Sequence, residues 1–419
     1  MKKEFDNFLF NSTVDKKKYF IAKYFIKSNN MLKAAKGIAI GQSIGNPDVR
    51  LDNETAELLE NHLSIILDHP DNLKNKKEAT VKIAFPVKNF DLEQDGITQF
   101  ICALMGGQMD IEEILHCRLL DVELPKVFIE NFKGPKIGMD EIKKRTNAIN
   151  RPLLGGIVKP KTGLDIKTLK EVCIKMVKGG VDFIKEDEIL GNPSCCPFEE
   201  RVKIVNDVVQ NEAAKLNKEV FYAPCVNSDL PYLLNRIEFL VENRIKAYHL
   251  NIWTGLQIYK YIRSFDFNIA MFYQKSGDRV ITDKNNAYSI SWNVLLKLAR
   301  ISGADFIHAG MWGGYLSDTK EDLTNWISIL TSTNENGFKK TVPSFSCGSH
   351  PGLVQTTVKN FGDDLMMSLG GQMHGHPSGT TAGAKAMRQA FELLNKDRSN
   401  EINLPEYKEA IEKWGLISD

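Results

Sequence analysis

A lysine and three carboxylates follow a short apolar run in the segment GGVDFIKEDEIL, residues 179–190. The segment has two interpretations, a solvated turn or a metal site that includes a lysine. If Lys185 and Asp187 lie on a strand, their side chains point to the same side, because side chains alternate along a strand. Glu188 would lie at the edge, where the chain can turn inward. Glu186 would point away, toward the protein interior or the solvent.

Two carboxylates form a hard oxygen site of the kind that suits Mg²⁺, with water or substrate oxygens as further ligands. A lysine ammonium beside Asp187 and Glu188 would repel the metal ion. A neutral lysine amine can add CO₂ and become a carbamate, which is an anionic oxygen ligand. Taken alone, the charged run is more typical of a solvated turn. Its place on the second of eight strand candidates favours instead a Mg²⁺ site with Lys185 as a ligand.

A glycine pair, Gly370 and Gly371, ends a later apolar run, LMMSLGG, just before QMHGHPSGTTAGA. Backbone N–H groups that glycines leave open near a helix start bind phosphate well. The pair is therefore a candidate phosphate site, although a tight turn explains it equally well. His374 and His376 lie in the same segment, and we interpret them as structural residues and not as metal ligands.

The strand candidates are apolar runs that mostly alternate with helical segments over roughly 250 residues, which is the pattern of an α/β protein with a TIM (β/α)₈ barrel. A doubly wound open sheet is the alternative, but the GxGxxG turn that typically follows its first strand is missing. Active sites of TIM barrels lie at the carboxyl ends of the strands. Eight runs are predicted as barrel strands: LLGGIVKPK, VDFIKEDE, VFYAPCVN, AYHLNIW, FNIAMFYQ, ADFIHAG, PSFSCG and LMMSLGG.

The first part of the chain has a different pattern and is predicted to be a small α+β domain, residues 1–135. Its strand candidates are YFIAKYFIKS, ATVKIAFPV and CRLLDVELP, and residues 56–67 and 97–107 have helical spacing. Glycine and proline punctuate residues 132–142, which we interpret as a linker. The barrel domain, residues 136–419, includes a C-terminal helical tail.

Composition excludes several classes of function. The formal net charge is +1, from 54 basic and 53 acidic side chains, so no global field favours nucleic acid or anionic membrane. Seven cysteines without framework spacing are typical of reduced thiols in the cytoplasm. No apolar run approaches the roughly 18 residues of a membrane span, and the N-terminus does not resemble a signal peptide. We therefore expect a cytoplasmic enzyme with neither a nucleic-acid partner nor a membrane anchor.

Five segments, in this order, resemble the RuBisCO large-chain family: GGIVKPKTGL, GGVDFIKEDE, SGADFIHAG, FSCGSHPG and FGDDLMMSLGGQMHGHPSG. The resemblance covers nearly the whole chain, from the small N-terminal domain through the barrel. It implies that Lys185, as N6-carboxylysine, binds Mg²⁺ together with Asp187 and Glu188, with CO₂ as the activator that forms the carbamate. It also implies that Lys159 is the acid/base lysine near the enolising carbon and that Lys161 supports it.

The same resemblance implies further roles at the barrel rim. His308, Ser346 and Gly348 would line the substrate, and Gly370 and Gly371 would hold a phosphate. It further implies a homodimer, or a larger assembly of dimers, in which the N-terminal domain of one chain closes the barrel mouth of the other.

Several positions depart from the carboxylases of this family. The loop after the sixth barrel strand carries Tyr315 where a carboxylase has the lysine that steadies the added CO₂. The fifth strand has Phe272 and Tyr273 where a carboxylase has a His-Arg pair, and Lys275 follows at a different spacing. Gly107 stands in place of a metal-side asparagine. Because an unpaired buried charge is costly, an apolar end at strand five predicts a substrate with one phosphate.

These features resemble the RuBisCO-like, non-carboxylating branch of the family. They predict a Mg²⁺-dependent lyase or isomerase that enolises a monophosphorylated keto sugar or keto sugar acid, with isomerisation, tautomerisation or decarboxylation as the outcome. Alternatives are the 2,3-diketo-5-methylthiopentyl-1-phosphate enolase of methionine salvage and a decarboxylase or transcarboxylase of a 3-oxo sugar acid phosphate. Ribulose-bisphosphate carboxylation and a catalytically inactive binding protein are the least favoured alternatives.

Overall fold

A computed structural model describes residues 2–315, 317–333, 337–395 and 404–417 of the chain. The chain divides into two compact units. The first consists of Met1–Phe132 with Gly277–Leu298, and the second of Lys133–Ser276 with Ala299–Asp419. Within the described ranges, no helix has the length and apolar character needed to cross a membrane.

The strands follow the apolar segments of the sequence. In chain order they are β1 (Tyr19–Ser28), β2 (Ile65–Ile66), β3 (Glu78–Pro86), β4 (Ile114–Glu123), β5 (Leu153–Ile157), β6 (Phe183–Lys185), β7 (Phe221–Ala223), β8 (Ala247–Asn251), β9 (Ala270–Gln274), β10 (Tyr288–Ile290), β11 (Phe306–Gly310), β12 (Val342–Phe345) and β13 (Met366–Leu369).

The helices separate most of these strands. In chain order they are α1 (Lys2–Leu9), α2 (Met31–Gly41), α3 (Ala56–His62), α4 (Pro70–Leu73), α5 (Gly96–Leu104), α6 (Lys126–Ile129), α7 (Met139–Arg145), α8 (Ile166–Lys178), α9 (Phe198–Ala214), α10 (Tyr232–Glu242), α11 (Leu256–Ser264), α12 (Arg279–Thr282), α13 (Trp292–Ile301), α14 (Lys320–Thr331), α15 (Val354–Phe361), α16 (Gly371–His374), α17 (Gly379–Glu392) and α18 (Pro405–Trp414). Short 3₁₀ turns lie at Val87–Asn89, Gly107–Asp110, Ile252–Thr254, Pro351–Leu353 and Leu393–Asn395.

The first unit contains a sheet with the strand order β10-β4-β1-β3-β2. The central strand β1 pairs antiparallel with β3 and β4, and β10 joins the edge parallel to β4. The sequence predicted β1 with the bounds that the structure has, but the predicted helix over 56–67 is too long, because α3 ends at His62 and β2 follows. No prediction placed the segment 277–298 in this unit, since that placement depends on the pairing of β10 with β4.

The second unit contains the predicted TIM barrel. Its sheet has the order β7-β6-β5-β13-β12-β11-β9-β8, and each neighbouring pair is parallel. A parallel bridge between Cys225 and His249 joins β7 to β8 and closes the ring. The prediction of an eight-stranded barrel is therefore confirmed.

Aromatic, aliphatic and small residues from all eight barrel strands fill the barrel interior. The ring of Phe183 on β6 lies 4.7 Å from that of Phe306 on β11 and 5.6 Å from that of Phe272 on β9. Ala247 and Ala270 occupy the same core cluster, where small side chains leave room for the rings. Burial of each phenylalanine contributes about 1.5–3 kcal/mol, so packing of this core holds the strand ends in place.

Two boundaries differ from the predicted ones. Strand β6 ends at Lys185, so Asp187 and Glu188 lie in the loop that follows and not on the strand. Helix α7 begins at Met139, inside the segment predicted as a linker over 132–142. The predicted division between a domain over 1–135 and one over 136–419 stays a prediction.

Candidate active site at the carboxyl end of the barrel

Two lysines that follow the first barrel strand contact a carboxylate in the loop after the second barrel strand. Lys159 and Lys161 follow β5, and Lys159 Nζ lies 2.8 Å from Asp187 Oδ2. Lys161 Nζ lies 4.0 Å from the same oxygen and is more exposed. Asp187 is buried, and its carboxylate forms ion pairs with these two ammonium groups. The barrel thus brings together three of the predicted site residues.

A second ion pair lies beside the first. Lys185, the last residue of β6, is buried, and its Nζ lies 3.3 Å from Glu188 Oε2 and 6.0 Å from the ring centre of Phe272. Burial raises the pKa of Glu188, but the charge of Lys185 and a hydrogen bond from Ser276 outweigh it and lower the pKa to about 2. Glu188 is therefore an ionised carboxylate at neutral pH.

His249 on β8 lies next to this second pair. The residue is fully buried, and burial, followed by the charge of Lys185, holds its pKa well below the usual value. Its imidazole is therefore neutral. Among the described residues, neither ring nitrogen has a hydrogen-bond partner of good geometry, although the backbone of Glu186 lies close. Buried polar atoms rarely lack partners, so unused hydrogen-bonding capacity is present beside Lys185.

Glu186 points into the protein interior and forms a buried ion pair with Arg201 of α9. Arg201 Nε and Nη2 donate to the Glu186 carboxylate at 3.0 and 3.1 Å. The same guanidinium donates to the carbonyls of Cys196, at 2.8 Å, and Leu190, at 3.3 Å. Arg201 therefore ties the start of the loop that carries Asp187 to its end.

Sequence reasoning missed Arg201, although the sequence contains a signal for it. Arg201 belongs to a buried stripe of α9 that also contains Phe198, Val202 and Val205, at helical spacing. An arginine within an apolar helix face needs a buried partner. That partner is Glu186, which belongs to the charged run Lys185–Glu188.

The sixth and seventh strands contribute a histidine and a serine that are in contact. Ser346 Oγ lies 2.6 Å from His308 Nε2. Burial, followed by the charges of Lys275 and Lys185, lowers the pKa of His308 to about 3. The imidazole is therefore neutral at physiological pH and can donate or accept one hydrogen bond without carrying a charge.

The loop after β11 packs closely on the loop after β12. Gly348 has a φ of 118°, and a Cβ at this position would lie 2.8 Å from the backbone nitrogen of Tyr315, so only glycine fits. The backbone nitrogen of Met311 donates a hydrogen bond to Asp318 Oδ2 at 2.9 Å, which closes the base of the loop after β11. The Tyr315 side chain is 74% exposed. This loop presents an aromatic side chain, and not a cation, at the rim.

The glycine pair after β13 lies beside the acid/base candidate. A Cβ on Gly370 would be 3.1 Å from Lys159 Cε, whereas the space in front of Gly371 is open. His374 and His376 hydrogen bond to the backbone carbonyls of Ile157 and of Glu406, each at 2.9 Å. These contacts agree with a structural role for both histidines.

The end of the fifth strand is apolar at the two positions that the sequence singled out. Phe272 lies in the barrel core, and Tyr273 is buried with its ring 5.0 Å from that of Tyr259. The next cation, Lys275, has its ammonium 5.3 Å from the ring centre of Trp326, and its charge acts on His308. Strand five therefore brings one cation to the rim, at a position two residues beyond Tyr273.

The residues at this rim fit Mg²⁺ if the lysine is modified. Among the described residues, no group of three or more His, Cys, Asp or Glu side chains has the spacing of a metal site. Asp187 and Glu188 supply two carboxylates, and water or substrate oxygens can complete the coordination of Mg²⁺. A carbamate on the buried Lys185 would supply a further anionic oxygen ligand. The charge of Lys185 acts on His249, whose ring nitrogens have no hydrogen-bond partner of good geometry among the described residues.

Comparison with known proteins identifies the family and the fold of this chain. Two family models match, "Ribulose bisphosphate carboxylase large chain, catalytic domain" over residues 138–414 and the corresponding N-terminal domain over residues 8–128. The chain is 30% identical over 359 residues to the ribulose bisphosphate carboxylase of Archaeoglobus fulgidus, covering 81% of each chain. It is 29% identical over 402 residues to the 2,3-diketo-5-methylthiopentyl-1-phosphate enolase of Geobacillus kaustophilus, covering 92% of this chain and 95% of the enolase.

Solved structures give the same result for the fold. The octameric ribulose-1,5-bisphosphate carboxylase/oxygenase of Pyrococcus horikoshii superimposes with a TM-score of 0.89 at 26% identity, covering 99% of this chain and 98% of that one. A rubisco-like protein from Burkholderia fungorum has a TM-score of 0.82 at 22% identity, covering 94% and 99%. The similarity extends over nearly the whole length of these proteins.

Proposed function

The chain belongs to the ribulose bisphosphate carboxylase large-chain family, and from that premise we propose that it is a Mg²⁺-dependent enzyme that enolises a monophosphorylated keto sugar or keto sugar acid without fixing CO₂. One observation carries the proposal. The Lys159–Asp187 and Lys185–Glu188 pairs lie together at the carboxyl rim of the barrel. A lysine that moves a proton and an oxygen site for a divalent cation are the two parts that enolisation needs.

Lys185 as a carbamate, Asp187 and Glu188 would hold the metal. When bound, Mg²⁺ supplies a Lewis acid that polarises a carbonyl and stabilises an enediolate. The buried ring of His249 would orient the carbamate by a hydrogen bond, because a neutral imidazole can donate. The Glu186–Arg201 pair would keep the loop that carries both carboxylates in position.

Lys159 is the proton-transfer residue in this proposal. Its ammonium lies 2.8 Å from Asp187 Oδ2. A carboxylate that binds a metal ion attracts a neighbouring ammonium less strongly. Lys159 is then able to exchange a proton with the carbon next to a polarised carbonyl. Lys161, at 4.0 Å from the same oxygen, would keep a positive charge near the enediolate oxygens.

Neutral groups would position the rest of the substrate. His308 and Ser346, 2.6 Å apart, can share a hydrogen bond with a substrate hydroxyl, and Gly348 leaves room beside them. The N–H groups after β13, at Gly370 and Gly371, would bind the phosphate. Because Gly370 lies against Lys159, a phosphate bound there would be near the carbon that loses the proton.

Three positions support enolisation without carboxylation. Phe272 and Tyr273 are packed into the protein and carry no positive charge, so neither offers a cation to a second phosphate. Tyr315 presents a phenol where added CO₂ would need a positive charge. The product of enolisation could be an isomer, a tautomer or a decarboxylated compound, and the methylthiopentyl phosphate enolase reaction is the second candidate, favoured by the similarity to the Geobacillus enolase.

The experiment follows α-proton exchange in D₂O by NMR, with Mg²⁺ and bicarbonate present. Its panel contains monophosphorylated keto sugars, 3-oxo sugar acid phosphates, 2,3-diketo-5-methylthiopentyl-1-phosphate and ribulose 1,5-bisphosphate. We expect exchange with one monophosphate, and a loss of at least about 100-fold in Lys159→Met, as is typical for a general base. Lys167→Met, which removes an exposed lysine of α8, is the matched control and should retain full exchange.

Three outcomes would contradict the proposal. Exchange with no member of the panel would exclude lysine-mediated enolisation of these substrates and favour a binding protein. Unchanged exchange in Lys159→Met would remove that lysine from the mechanism. Fixation of labelled CO₂ on ribulose 1,5-bisphosphate would identify a carboxylase.

We also propose that the chain forms a homodimer or a larger assembly of dimers. The support is its similarity to an octameric relative from Pyrococcus horikoshii, over nearly the whole length of both chains. Sedimentation velocity at micromolar concentration measures the assembly directly. A single species with the mass of one 47.3 kDa chain would contradict the proposal.

A further inference from the structure

A buried carboxylate at the opposite end of the barrel has no hydrogen-bonding capacity left. Asp182 lies just before β6 and is fully buried. Arg151 donates to its two oxygens at 2.6 and 2.9 Å, Lys218 donates at 2.7 Å and the backbone nitrogen of Leu154 at 2.8 Å. Each oxygen thus accepts two hydrogen bonds, which is the usual capacity of a carboxylate.

Arg388 of α17 is a third cation near this carboxylate. Its Nη1 is buried and has no hydrogen-bond partner among the described residues. Burial, followed by the charge of Arg151, lowers the pKa of Arg388. Because Asp182 is saturated, it cannot accept from Arg388, and a buried guanidinium nitrogen without an acceptor is costly.

Arg388 and Arg151 also line a pocket of about 340 Å³ at this end of the barrel. The pocket is completed by Asn147, Ile149, Asn150, Phe391 and Glu392. Glu392 is exposed, and its charge acts on Arg388 together with that of Asp182. Arg151, Lys218 and Arg388 therefore face two carboxylates, and the local charge is positive.

We propose that this pocket binds a small oxyanion of the phosphate or sulfate type, with Arg388 as the main donor and the Asn150 amide at the rim. A guanidinium matches the geometry of such anions and binds them by charge-assisted hydrogen bonds. The pocket lies at the amino ends of β5 and β6, whereas the proposed active site lies at their carboxyl ends. The proposal is therefore independent of the proposed enzymatic function.

Calorimetric titration of the full chain with inorganic phosphate tests the proposal, at constant ionic strength with chloride as the balancing anion. The proposed phosphate site at the barrel mouth could bind the same probe, so all titrations use the Gly371→Asp background. A side chain fits there because the space in front of Gly371 is open, and its carboxylate repels an anion. Parallel titrations with sulfate and with glucose 6-phosphate distinguish a free anion from a phosphorylated metabolite.

We expect one phosphate per chain, and Arg388→Gln should weaken its binding by about tenfold or more, as for the loss of a charge-assisted hydrogen bond. Asn150→Asp is the second variant, because this exposed position can change without disturbing the core, and its carboxylate should weaken binding by a similar factor. Arg244→Gln, at an exposed arginine outside the pocket, is the matched control and should bind like the parent. Absence of phosphate binding, or equal binding by the parent, Arg388→Gln and Asn150→Asp, would overturn the proposal.

Discussion

Substitution of Arg201 by methionine separates the role of the buried ion pair from that of the residues at the rim. Methionine replaces the stem of the arginine and removes the guanidinium. Glu186 would keep two donors, the hydroxyl of Tyr222 and the backbone nitrogen of Cys225, the latter at 2.9 Å. Its charge, however, would lose the only cation that contacts it among the described residues.

The structure sets the size of the expected effect. Both partners of the pair have no exposed side-chain surface, so solvent cannot screen the charge that Arg201→Met leaves behind. Breaking a fully buried ion pair from one side costs about 3–5 kcal/mol. The carbonyls of Leu190 and Cys196 would lose their donor as well, which loosens the loop that carries Asp187 and Glu188.

Two measurements test this prediction. Urea unfolding, followed by tryptophan fluorescence, should show a loss of about 3–5 kcal/mol in the free energy of unfolding. The double variant Glu186→Gln/Arg201→Met should be less destabilised than the sum of the two single variants, with a coupling energy of about 0.5–3 kcal/mol. Calorimetric titration with Mg²⁺ in bicarbonate buffer should show weaker binding by Arg201→Met.

Arg300→Met is the matched control, because Arg300 is also buried but donates to neutral oxygens. Its Nη1 lies 2.5 Å from the Ile329 carbonyl, and its Nη2 lies 2.6 Å from the Ser332 carbonyl. This variant leaves no buried carboxylate, so we expect a loss of about 1–3 kcal/mol and unchanged Mg²⁺ binding. Equal losses of stability in the two variants, or unchanged Mg²⁺ binding by Arg201→Met, would refute the reasoning.

Three further predictions concern the barrel. Burial raises the pKa of Asp305 to about 6, so this group stabilises the fold below pH about 4 and less as pH rises through 6. Asp305→Asn should abolish that contribution of about 3 kcal/mol, measured as the difference in unfolding free energy between wild type and variant from pH 4 to 7. Phe272→Ala should cost about 3–5 kcal/mol in urea unfolding, because it opens a cavity among the core rings; a loss below 1 kcal/mol would contradict this packing. Tyr315→Lys alone should not fix labelled CO₂ on ribulose 1,5-bisphosphate, since Phe272 and Tyr273 still offer no cation to a second phosphate; measurable fixation would contradict that reason.

Local patterning was sufficient for much of the fold. The run YFIAKYFIKS has the bounds of β1, and the segment DIKTLKEVCIKMVKGG contains α8, because alternation and helical spacing depend only on neighbouring residues. The number of barrel strands also followed from the sequence. The ends of the strands were less predictable. Strand β6 ends at Lys185 because its pairing with β5 and β7 ends there, and that pairing depends on residues far away in the sequence.

Residue types alone indicated the candidate chemistry at the barrel rim. Lysines and carboxylates at the ends of strands one and two were expected to meet, because the parallel strands of a barrel place their carboxyl ends on one rim. The contact of Lys159 with Asp187 has that origin. The Mg²⁺ site and the roles of its residues stay predictions, which the exchange experiment and the Mg²⁺ titration test.

The burial and partners of single side chains needed the tertiary structure. Glu186 could have faced solvent until Arg201, fifteen residues away, was seen against it. His249 lies beside Lys185 only because β7 and β8 close the ring. The Nη1 of Arg388 lacks a hydrogen-bond partner among the described residues, and Asp182 cannot accept from it because residues from other segments already donate to both of its oxygens. The physical reason is common to all three: hydrophobic pattern is a property of neighbouring residues along the chain, whereas electrostatic and hydrogen-bond compensation depends on which distant segments meet.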